Sequence, residues 1–491
     1  MKPEDIQNAL ADIGEDLIEN AADAKPKRIK RHIKKWQAIL AATLAFILVL
    51  GVFLLPTREP IADKPVKTPA ILSDPTPFLL SSAVYPLCAS YPFTYKNFAE
   101  QQMLYDAWDR ERREKANLFQ KADIQLDDFF VSTMQEILTD TNGKNSVYSP
   151  INIYLSLALL AEISDGESQQ QILKLLDIND LESLREKANA LWRSHYTKDG
   201  MSTLTLANSL WFDQSFTPKE GALQILREYY FASAFRGNMS DKIFQQAMVG
   251  WINDQTGGIL KNDLSDLEIP PETVMTLIST IYFQAKWIDE FEKNKTEIKN
   301  FNANRKKVSC EFMNSTTHTF YFTGEKFSAI CYGLQGQGGM WLVLPNKGTD
   351  LDTLLKNEEF CRFIKNPDAW KMKEDAIVHL SLPKFNIGFN TDLITCLKNL
   401  GVQDIFNPYE ADFSTISDLQ TYIKNIVHTT RCMIDEEGCT AAAVTVSVDS
   451  ITSSPDLTVH FTLDRPFYFQ ITSNQGAPLF AGVVNDPTRS E

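Results

Sequence analysis

Residues 435–445 read Asp-Glu-Glu-Gly-Cys-Thr-Ala-Ala-Ala-Val-Thr, and they are the most informative stretch of this chain. Acidic residues and a glycine precede a run of very small side chains. A segment that must later slip between two existing strands needs such residues, because a bulky or charged side chain pointing inward would clash or lose its water. The stretch therefore predicts a segment that can join a sheet, at the start of an exposed loop that ends near Val459–Phe461.

Further segments follow in a recognisable order along the chain. They are Asn145–Pro150, Thr205–Phe212, Ile281–Trp287, Leu380–Phe385, Leu397–Gly401 and Ala411–Ser414. Each is a weak signal alone, but together with residues 435–445 the ordered set resembles the serpins, from about Asp123 to Asn485. In that family the small-residue stretch is the hinge of a reactive-centre loop, and insertion of the cut loop into a sheet is the family's established mechanism.

The resemblance implies an α+β fold for residues 123–491, with a large, mainly antiparallel sheet, backing helices and a smaller barrel-like sheet. The periodicity of the apolar residues favours the same class. Helical spacing dominates 125–139, 150–176, 181–194 and 217–230. Strand-like runs, rich in aromatic and β-branched residues, cover 280–287, 319–334, 339–345, 375–387, 459–463 and 466–472.

The family's register assigns the loop residues. It gives a hinge of Glu437, Gly438, Cys439, Thr440, Ala441, Ala442 and Ala443, in which Cys439 stands where the family usually has threonine. It places the reactive bond between Thr452 and Ser453, to within about one residue. After insertion every second residue should face inward. These residues are Cys439, Ala441, Ala443, Thr445, Ser447 and Asp449, of which Asp449 is unfavourable because an inward carboxylate costs free energy unless it reaches solvent.

The resemblance also implies two clusters in the main sheet. Trp287 belongs to the breach, where the loop first inserts, and Ser149, Asn152, Ser279 and His428 belong to the shutter beneath the centre of the sheet. The family has serine at position 152 and asparagine at position 279, so the two residue types are exchanged here. Both donate and accept hydrogen bonds, and the exchange could therefore preserve the hydrogen bonds around His428. Two independent neutral changes are the alternative, and His428 is predicted to be a satisfied structural histidine.

The function implied by the resemblance is suicide inhibition of a serine protease, or of a cysteine protease, that attacks the loop. Residues 450–454 contain no Arg, Lys or aromatic side chain, which favours elastase-like or subtilisin-like targets; cleavage after Asp449 by an Asp-specific protease is the alternative. A non-inhibitory serpin-fold binding or scaffold protein is the second hypothesis. The sequence contains no Gly-rich phosphate loop, HExxH motif or GxSxG motif, so the chain is predicted not to be an enzyme.

The net charge and the cysteine content indicate which kinds of partner and ligand the protein does not bind. The chain has 491 residues and a net charge of −15, which argues against nucleic-acid binding because such binding needs a basic surface. The seven cysteines form no CxxC pair and are predicted to be mostly buried, without a disulfide framework, a metal site or a cofactor. The protein is predicted to act as a monomer.

The N-terminal part predicts a membrane anchor. Residues 36–55 carry no formal charge and, as a helix about 30 Å long, would cross the hydrocarbon core. Seven basic residues within 25–35 predict a cytoplasmic tail over residues 1–35 and an extracellular serpin domain, by the positive-inside rule. A cleavable signal peptide is the competing interpretation, but its apolar region would be unusually long. An anchor beside a domain with free cysteines suggests a bacterial surface protein.

Residues 56–122 are predicted to connect the anchor to the serpin domain. Six prolines between positions 56 and 77 disfavour regular structure and indicate an extended spacer. The charged run Tyr95–Ala122 predicts a helical lead-in with a solvated face. A third hypothesis is a signalling protein in which the cytoplasmic tail matters most and the outer domain senses proteases.

Overall fold

The structure is a computed structural model that describes residues 74–260, 269–270, 272–304, 306–390, 393–439 and 457–490. Its helices are α1 (Phe98–Ala122), α2 (Asp127–Leu138), α3 (Pro150–Ile163), α4 (Gly166–Leu175), α5 (Leu181–His195), α6 (Glu220–Tyr229), α7 (Lys242–Gln255), α8 (Leu351–Leu355), α9 (Glu358–Lys365) and α10 (Leu393–Asn399). Short 3-10 helices cover Thr76–Phe78, Lys293–Lys295 and Asp404–Phe406.

The strands are β1 (Leu79–Ser81), β2 (Ser146–Tyr148), β3 (Thr197–Lys198), β4 (Ser202–Asp213), β5 (Ala232–Gly237), β6 (Met275–Lys286), β7 (Glu297–Ala303), β8 (Lys306–Thr323) and β9 (Phe327–Gly333). They continue with β10 (Gly339–Pro345), β11 (Lys373–Pro383), β12 (Phe385–Asn390), β13 (Asn425–Ile434), β14 (Gly438–Cys439), β15 (Leu457–Thr462), β16 (Phe467–Thr472) and β17 (Pro478–Val484).

Two large sheets organise these strands. The main sheet has the order β1-β5-β4-β6-β14-β13-β12, with β3 paired to β4. Its strands pair mainly antiparallel; β4 with β5 and β6 with β13 are the parallel pairs among the described residues. The second sheet has the order β15-β11-β8-β9-β10-β16-β17-β2, with β7 paired to β8. This arrangement confirms the predicted α+β class with a large, mainly antiparallel main sheet.

Helix α3 lies in the interior and contacts both β6 and β17. It begins at Ser149, whose hydroxyl accepts a hydrogen bond from the Asn152 N–H at 3.3 Å, and Pro150 occupies its first position. All of its residues are buried, as expected for a helix that is apolar on every side. The predicted helix 150–176 is interrupted at Ser164, and Asp165 caps the separate helix α4.

Helix α7 covers the part of the main sheet where β6 and β13 pair. Phe244, Met248 and Trp251 of the helix belong to one apolar cluster with Ile278 of β6 and Val427 of β13. A new strand that separated β6 from β13 would therefore have to move strands beneath α7, which makes this cluster part of any barrier to insertion.

The segment before α2 forms part of the serpin-like body. Strand β1 pairs with β5 at the edge of the main sheet, and the Tyr85 ring stacks on Trp192 at 5.7 Å. Trp108 of α1 is buried and donates a hydrogen bond through Nε1 to Asp199 Oδ2 at 2.8 Å. The predicted helical lead-in is present as α1. Its many charged residues indicated a solvated face, and the burial of Trp108 was not predicted. Sequence reasoning did not anticipate the edge strand.

No helix in the described ranges is long and apolar enough to cross a membrane. The predicted tail 1–35, the predicted anchor 36–55 and residues 56–73 of the predicted spacer lie outside those ranges.

Candidate functional site

The hinge begins with a tight turn between β13 and β14. The Asp435 N–H donates to the Gly438 carbonyl at 3.1 Å, and Asp435 Oδ1 accepts hydrogen bonds from the N–H groups of Glu437 at 2.9 Å and Gly438 at 3.2 Å. An aspartate that holds the backbone two and three residues ahead is a common way to fix a turn. The turn reverses the chain and directs it back into the main sheet.

Position 438 requires glycine because the backbone there lies very close to β6. Its φ is +153°, and a Cβ atom there would collide with the carbonyl oxygen of Ala285 and lie 2.7 Å from the Cα of Lys286. Backbone cannot move aside as a flexible side chain would. Only glycine therefore allows the chain to reach the sheet at this position.

Strand β14 lies between β6 and β13. Cys439 is paired with Ala285 of β6 on one side and Ile434 of β13 on the other, antiparallel to both. Further down the sheet β6 and β13 pair directly, from Thr276 to Thr280 on β6. Gly438 and Cys439 thus lie in the main sheet at the end where β6 and β13 are separated.

Two acidic residues fasten the turn to residues between consecutive strands of the fold. Buried Glu436 accepts hydrogen bonds from Lys384 at 2.7 Å and Thr296 at 2.8 Å, and Glu437 accepts one from Lys293 at 2.6 Å. Burial alone would raise the pKa of Glu436, but the hydrogen bonds from Lys384 and Thr296 hold this pKa below its usual value. Glu436 therefore acts as an anchor and stays ionised.

Trp287 lies directly against the turn. Its indole Nε1 donates to the Asp435 carbonyl at 2.9 Å, and its backbone N–H donates to the Glu437 carbonyl at 3.2 Å. The ring is fully buried and meets Phe291 and Tyr332 edge-on, at 5.9 Å and 5.2 Å between centroids. The breach tryptophan and the start of the hinge are thus one connected unit.

The shutter residues lie where β6, β13 and α3 are adjacent. Ser279 and His428 are direct partners in the parallel ladder between β6 and β13. Ser279 Oγ accepts a hydrogen bond from Ser156 Oγ at 2.8 Å, and Ser156 Oγ also approaches Asn208 Oδ1 at 3.4 Å. Ser149 caps the start of α3, as described above.

The predicted hydrogen bonds around His428 are not found in the described part of the chain. Both ring nitrogens of His428, and both polar atoms of the Asn152 amide, are buried there without a hydrogen-bond partner. The exchange of asparagine and serine therefore does not restore an inventory of bonds to this ring. Buried polar groups without partners, whose burial costs free energy, therefore lie at the position where β6 and β13 pair directly.

A family model described as Serpin (serine protease inhibitor) matches residues 125–487. The chain belongs to the serpin family. Membership of a family of protease inhibitors also supports the expectation that it is not an enzyme.

Known serpins align over most of this domain. Serpin B11 of Mus musculus is 27% identical over 385 residues, which covers 73% of this chain and 98% of that protein. The structure of tengpin, a thermophilic serpin in its native state, has 29% identity and a TM-score of 0.65, covering 74% of this chain and 93% of tengpin. Human thyroxine-binding globulin, solved with thyroxine, has 22% identity and a TM-score of 0.67, covering 76% of this chain and all of that one. This last likeness shows the fold alone.

The burial of His428 predicts a pH-dependent stability of this serpin. Burial lowers the pKa of the ring from 6.5 to about 4. As the pH falls, the unfolded chain takes up a proton near pH 6.5, whereas the native ring resists until about pH 4. The contribution of His428 to the free energy of unfolding is therefore fully present above pH 6.5. It falls between pH 6.5 and 4, by up to about 3 kcal/mol.

Urea unfolding at pH 7.0 and 4.5 measures this loss. We expect His428→Gln to show a smaller loss between the two pH values than the unsubstituted protein. His195→Gln should reduce the loss in the same way, because burial also lowers the pKa of His195 to about 4. The same pH dependence with and without His428 would contradict the prediction.

Several predicted loop residues lie outside the described ranges. They are Thr440, Ala441, Ala442, Ala443, Thr452 and Ser453. The described site also includes residues that sequence reasoning missed, namely Ser156, Asn208, Lys384 and Thr296. Ser156 is four residues after Asn152, on the same face of α3, and this spacing could have indicated it. Lys384 and Thr296 carry no comparable signal in the sequence, because their contacts with Glu436 depend on the assembled sheets.

Proposed function

We propose that this serpin is a suicide inhibitor of serine proteases. The observation that carries the proposal is β14, which lies between β6 and β13 and runs antiparallel to both. If the residues after Cys439 kept this register, they would lengthen β14 between β6 and β13 without a change of chain direction. The Cys439 side chain is 3% exposed, so strand alternation would point Ala441 and Ala443 into the same interior.

The proposed reaction uses the chemistry of the target. The serine oxygen of the protease attacks the Thr452 carbonyl carbon, the bond to Ser453 breaks, and the Ser453 amine leaves with a proton. Thr452 remains joined to the protease as an ester. The cut loop then inserts, and residues 438–452 would span about 50 Å when extended. The protease is carried along the sheet, and distortion of its active site blocks hydrolysis of the ester.

Insertion must release free energy for the trap to hold. A dozen new backbone hydrogen bonds, at about 1 kcal/mol net each, supply on the order of 10 kcal/mol. The uncut protein is accordingly held in its native form by a kinetic barrier.

The proposal extends to location and target. The uncharged segment 36–55 and the basic residues within 25–35 support a single membrane span with the serpin domain outside the cell and residues 1–35 in the cytoplasm. The small residues 450–454 support elastase-like or subtilisin-like serine proteases as targets. The bacterial source and the monomeric state stay predictions.

One feature favours a second function, that of a non-inhibitory binding or scaffold protein. Asp449 would face inward late in insertion, where an unpaired carboxylate costs free energy. Incomplete insertion would leave a cut loop and a released protease. The serpin fold also serves other roles, since the structure of human thyroxine-binding globulin contains thyroxine.

Incubation of the full-length protein with a panel of proteases tests the proposal. We expect an adduct with an elastase-like or subtilisin-like protease that survives SDS. Mass spectrometry should identify a released C-terminal fragment that begins at Ser453 or one residue to either side. Simple cleavage without an adduct, by every protease that cuts the loop, would support the non-inhibitory function.

The same fragment distinguishes the candidate targets. A fragment that begins at Ser450 would indicate an Asp-directed protease, and the inserted strand would then be three residues shorter. Stable inhibition of trypsin through a cut at a basic residue elsewhere would show that the loop has been assigned wrongly.

A further inference from the structure

Two of the seven cysteines meet where the loop joins the sheet. Cys439 of β14 is paired with Ile434 of β13, and Cys432 precedes Ile434 by two residues. Side chains two residues apart on a strand share one face, so both thiols point to the same side of the sheet. Both residues are buried, Cys439 at 3% and Cys432 at 1% exposure. Cys361 is within hydrogen-bond distance of a backbone carbonyl, that of Leu355, at 3.6 Å.

We infer that Cys432 and Cys439 form a reversible disulfide that fastens the hinge of the reactive-centre loop to β13. The pair is free in the structure, which therefore represents its reduced form. Formation of the disulfide does not depend on whether the protein inhibits proteases. Its consequence for protease trapping rests on the proposed function.

The positions of the two residues set the mechanical effect of the bond. Diagonal neighbours on antiparallel strands have Cα atoms about 7–8 Å apart, whereas a disulfide joins Cα atoms about 4.4–6.8 Å apart. Closing the bond would therefore draw Cys439 roughly 1–2 Å toward Cys432. Cys432 lies nearer than Ile434 to the centre of the sheet, so oxidation pulls the hinge deeper in the direction of loop insertion.

The oxidant is a low-molecular-weight disulfide, R–S–S–R, such as an oxidising compartment supplies. The Cys439 thiolate attacks one sulfur of the oxidant and releases one RS⁻, which leaves a mixed disulfide on Cys439. The Cys432 thiolate then attacks the Cys439 sulfur and releases the second RS⁻. The two thiol protons end on the released thiolates. The cysteine pair is oxidised by two electrons and the small disulfide is reduced to two thiols.

The position of the hinge controls access to this chemistry. The neighbouring Cys439 thiol, together with burial, raises the pKa of Cys432 well above its usual value, so the thiolate is scarce while β14 is in the sheet. Buried thiols of this kind are unreactive. Local opening of the sheet end that holds β14 exposes Cys439 to the oxidant. Cys439 therefore reacts with the oxidant while β14 is open, and the disulfide with Cys432 closes when β14 returns to the sheet.

Mass spectrometry can read the disulfide directly. Trypsin cleaves after Arg431 and Arg489 but not after Arg465, which precedes Pro466, and the peptide 432–489 contains both Cys432 and Cys439 and no other cysteine. The full-length protein is treated with glutathione disulfide, alkylated under denaturing conditions and digested. We expect the peptide to carry no alkyl group after oxidation and two after reduction with dithiothreitol. A peptide alkylated twice after oxidation overturns the inference.

Hydrogen exchange shows whether the bond fastens the hinge. In the oxidised protein the backbone amides of Gly438 and Cys439 should exchange at least tenfold more slowly than in the reduced protein. Cys439→Thr, which keeps the size of the side chain, and Cys432→Ser should remove this response to oxidant. Cys361→Ser, the matched buried cysteine, should retain it. Exchange that is unaffected by oxidation in the parent protein overturns the fastening.

Protease trapping supplies a separate readout. A hinge fixed in register removes the first step of insertion, so the fraction of cut molecules that end as adduct should rise at least twofold on oxidation. A disulfide that slows exchange but leaves this fraction unchanged would overturn the link to trapping. Failure to trap any protease in either redox state would instead contradict the proposed function, and the exchange and peptide results would still decide the disulfide.

Discussion

Ala443→Glu should convert this serpin from an inhibitor into a substrate that proteases cut without being trapped. Cys439 faces the interior, and a strand continued from it would place Ala443 on the same face, opposite Ile281 of β6 and Thr430 of β13. Both of these neighbours are buried, at 4% and 0% exposure. An ionised glutamate would have to be desolvated there, at a cost of several kcal/mol. Insertion would stall, and hydrolysis of the ester would release the protease.

The measurement is the ratio of SDS-stable adduct to cleaved serpin at a fixed amount of protease. We expect this ratio to fall at least tenfold for Ala443→Glu, with no change in the melting temperature of the uncut protein. Ala441→Arg, which would face Phe283 and Cys432 in the same register, should behave in the same way.

The neighbouring position offers a matched control. Ala442 would face outward, opposite the half-buried residues Tyr282 and Arg431. A glutamate at position 442 would remain near water and beside a cation, so Ala442→Glu should retain most of the adduct. Equal trapping by Ala442→Glu and Ala443→Glu would show that the hinge register is wrong.

The features that sequence reasoning predicted well are those set by local pattern and by the ordered family segments. The inward orientation of Cys439 follows from strand alternation, and the residue is buried as predicted. The interior helix α3 follows from a long apolar run with a serine and a proline at its start. Such signals lie within a few residues of one another, so a single sequence contains them in full.

The features it missed depend on contacts between distant parts of the chain. The run 375–387 reads as one strand, but the chain turns at Lys384 and gives β11 to the second sheet and β12 to the main sheet. Strand β1 follows a proline-rich segment and exists because β5 offers an open edge. The unsatisfied amide of Asn152 could not be foreseen either, because hydrogen-bond partners in the shutter are determined by how α3 and β6 pack together.

Cleavage of the loop between Val446 and Ser453 should raise the melting temperature sharply. The inserted loop gains hydrogen bonds on both sides, worth on the order of 10 kcal/mol. Even at about 2 °C per kcal/mol, the lower value for domains of 150–250 residues, this corresponds to a rise of roughly 20 °C. Separation of β6 from β13 beneath α7 opposes the gain, and it provides the barrier that preserves the uncut form.

Calorimetry of the full-length protein before and after a single cut in the loop measures the rise. The cut Ala443→Glu variant is the internal control, because its loop is severed at the same bond but cannot insert past position 443. We expect its melting temperature to stay close to that of the uncut protein, while the cut Ala442→Glu variant rises as the parent does. Equal melting temperatures for cut and uncut parent protein would mean that the native form is not metastable. The trap would then lack its source of free energy, and β14 would be a fixed part of the sheet.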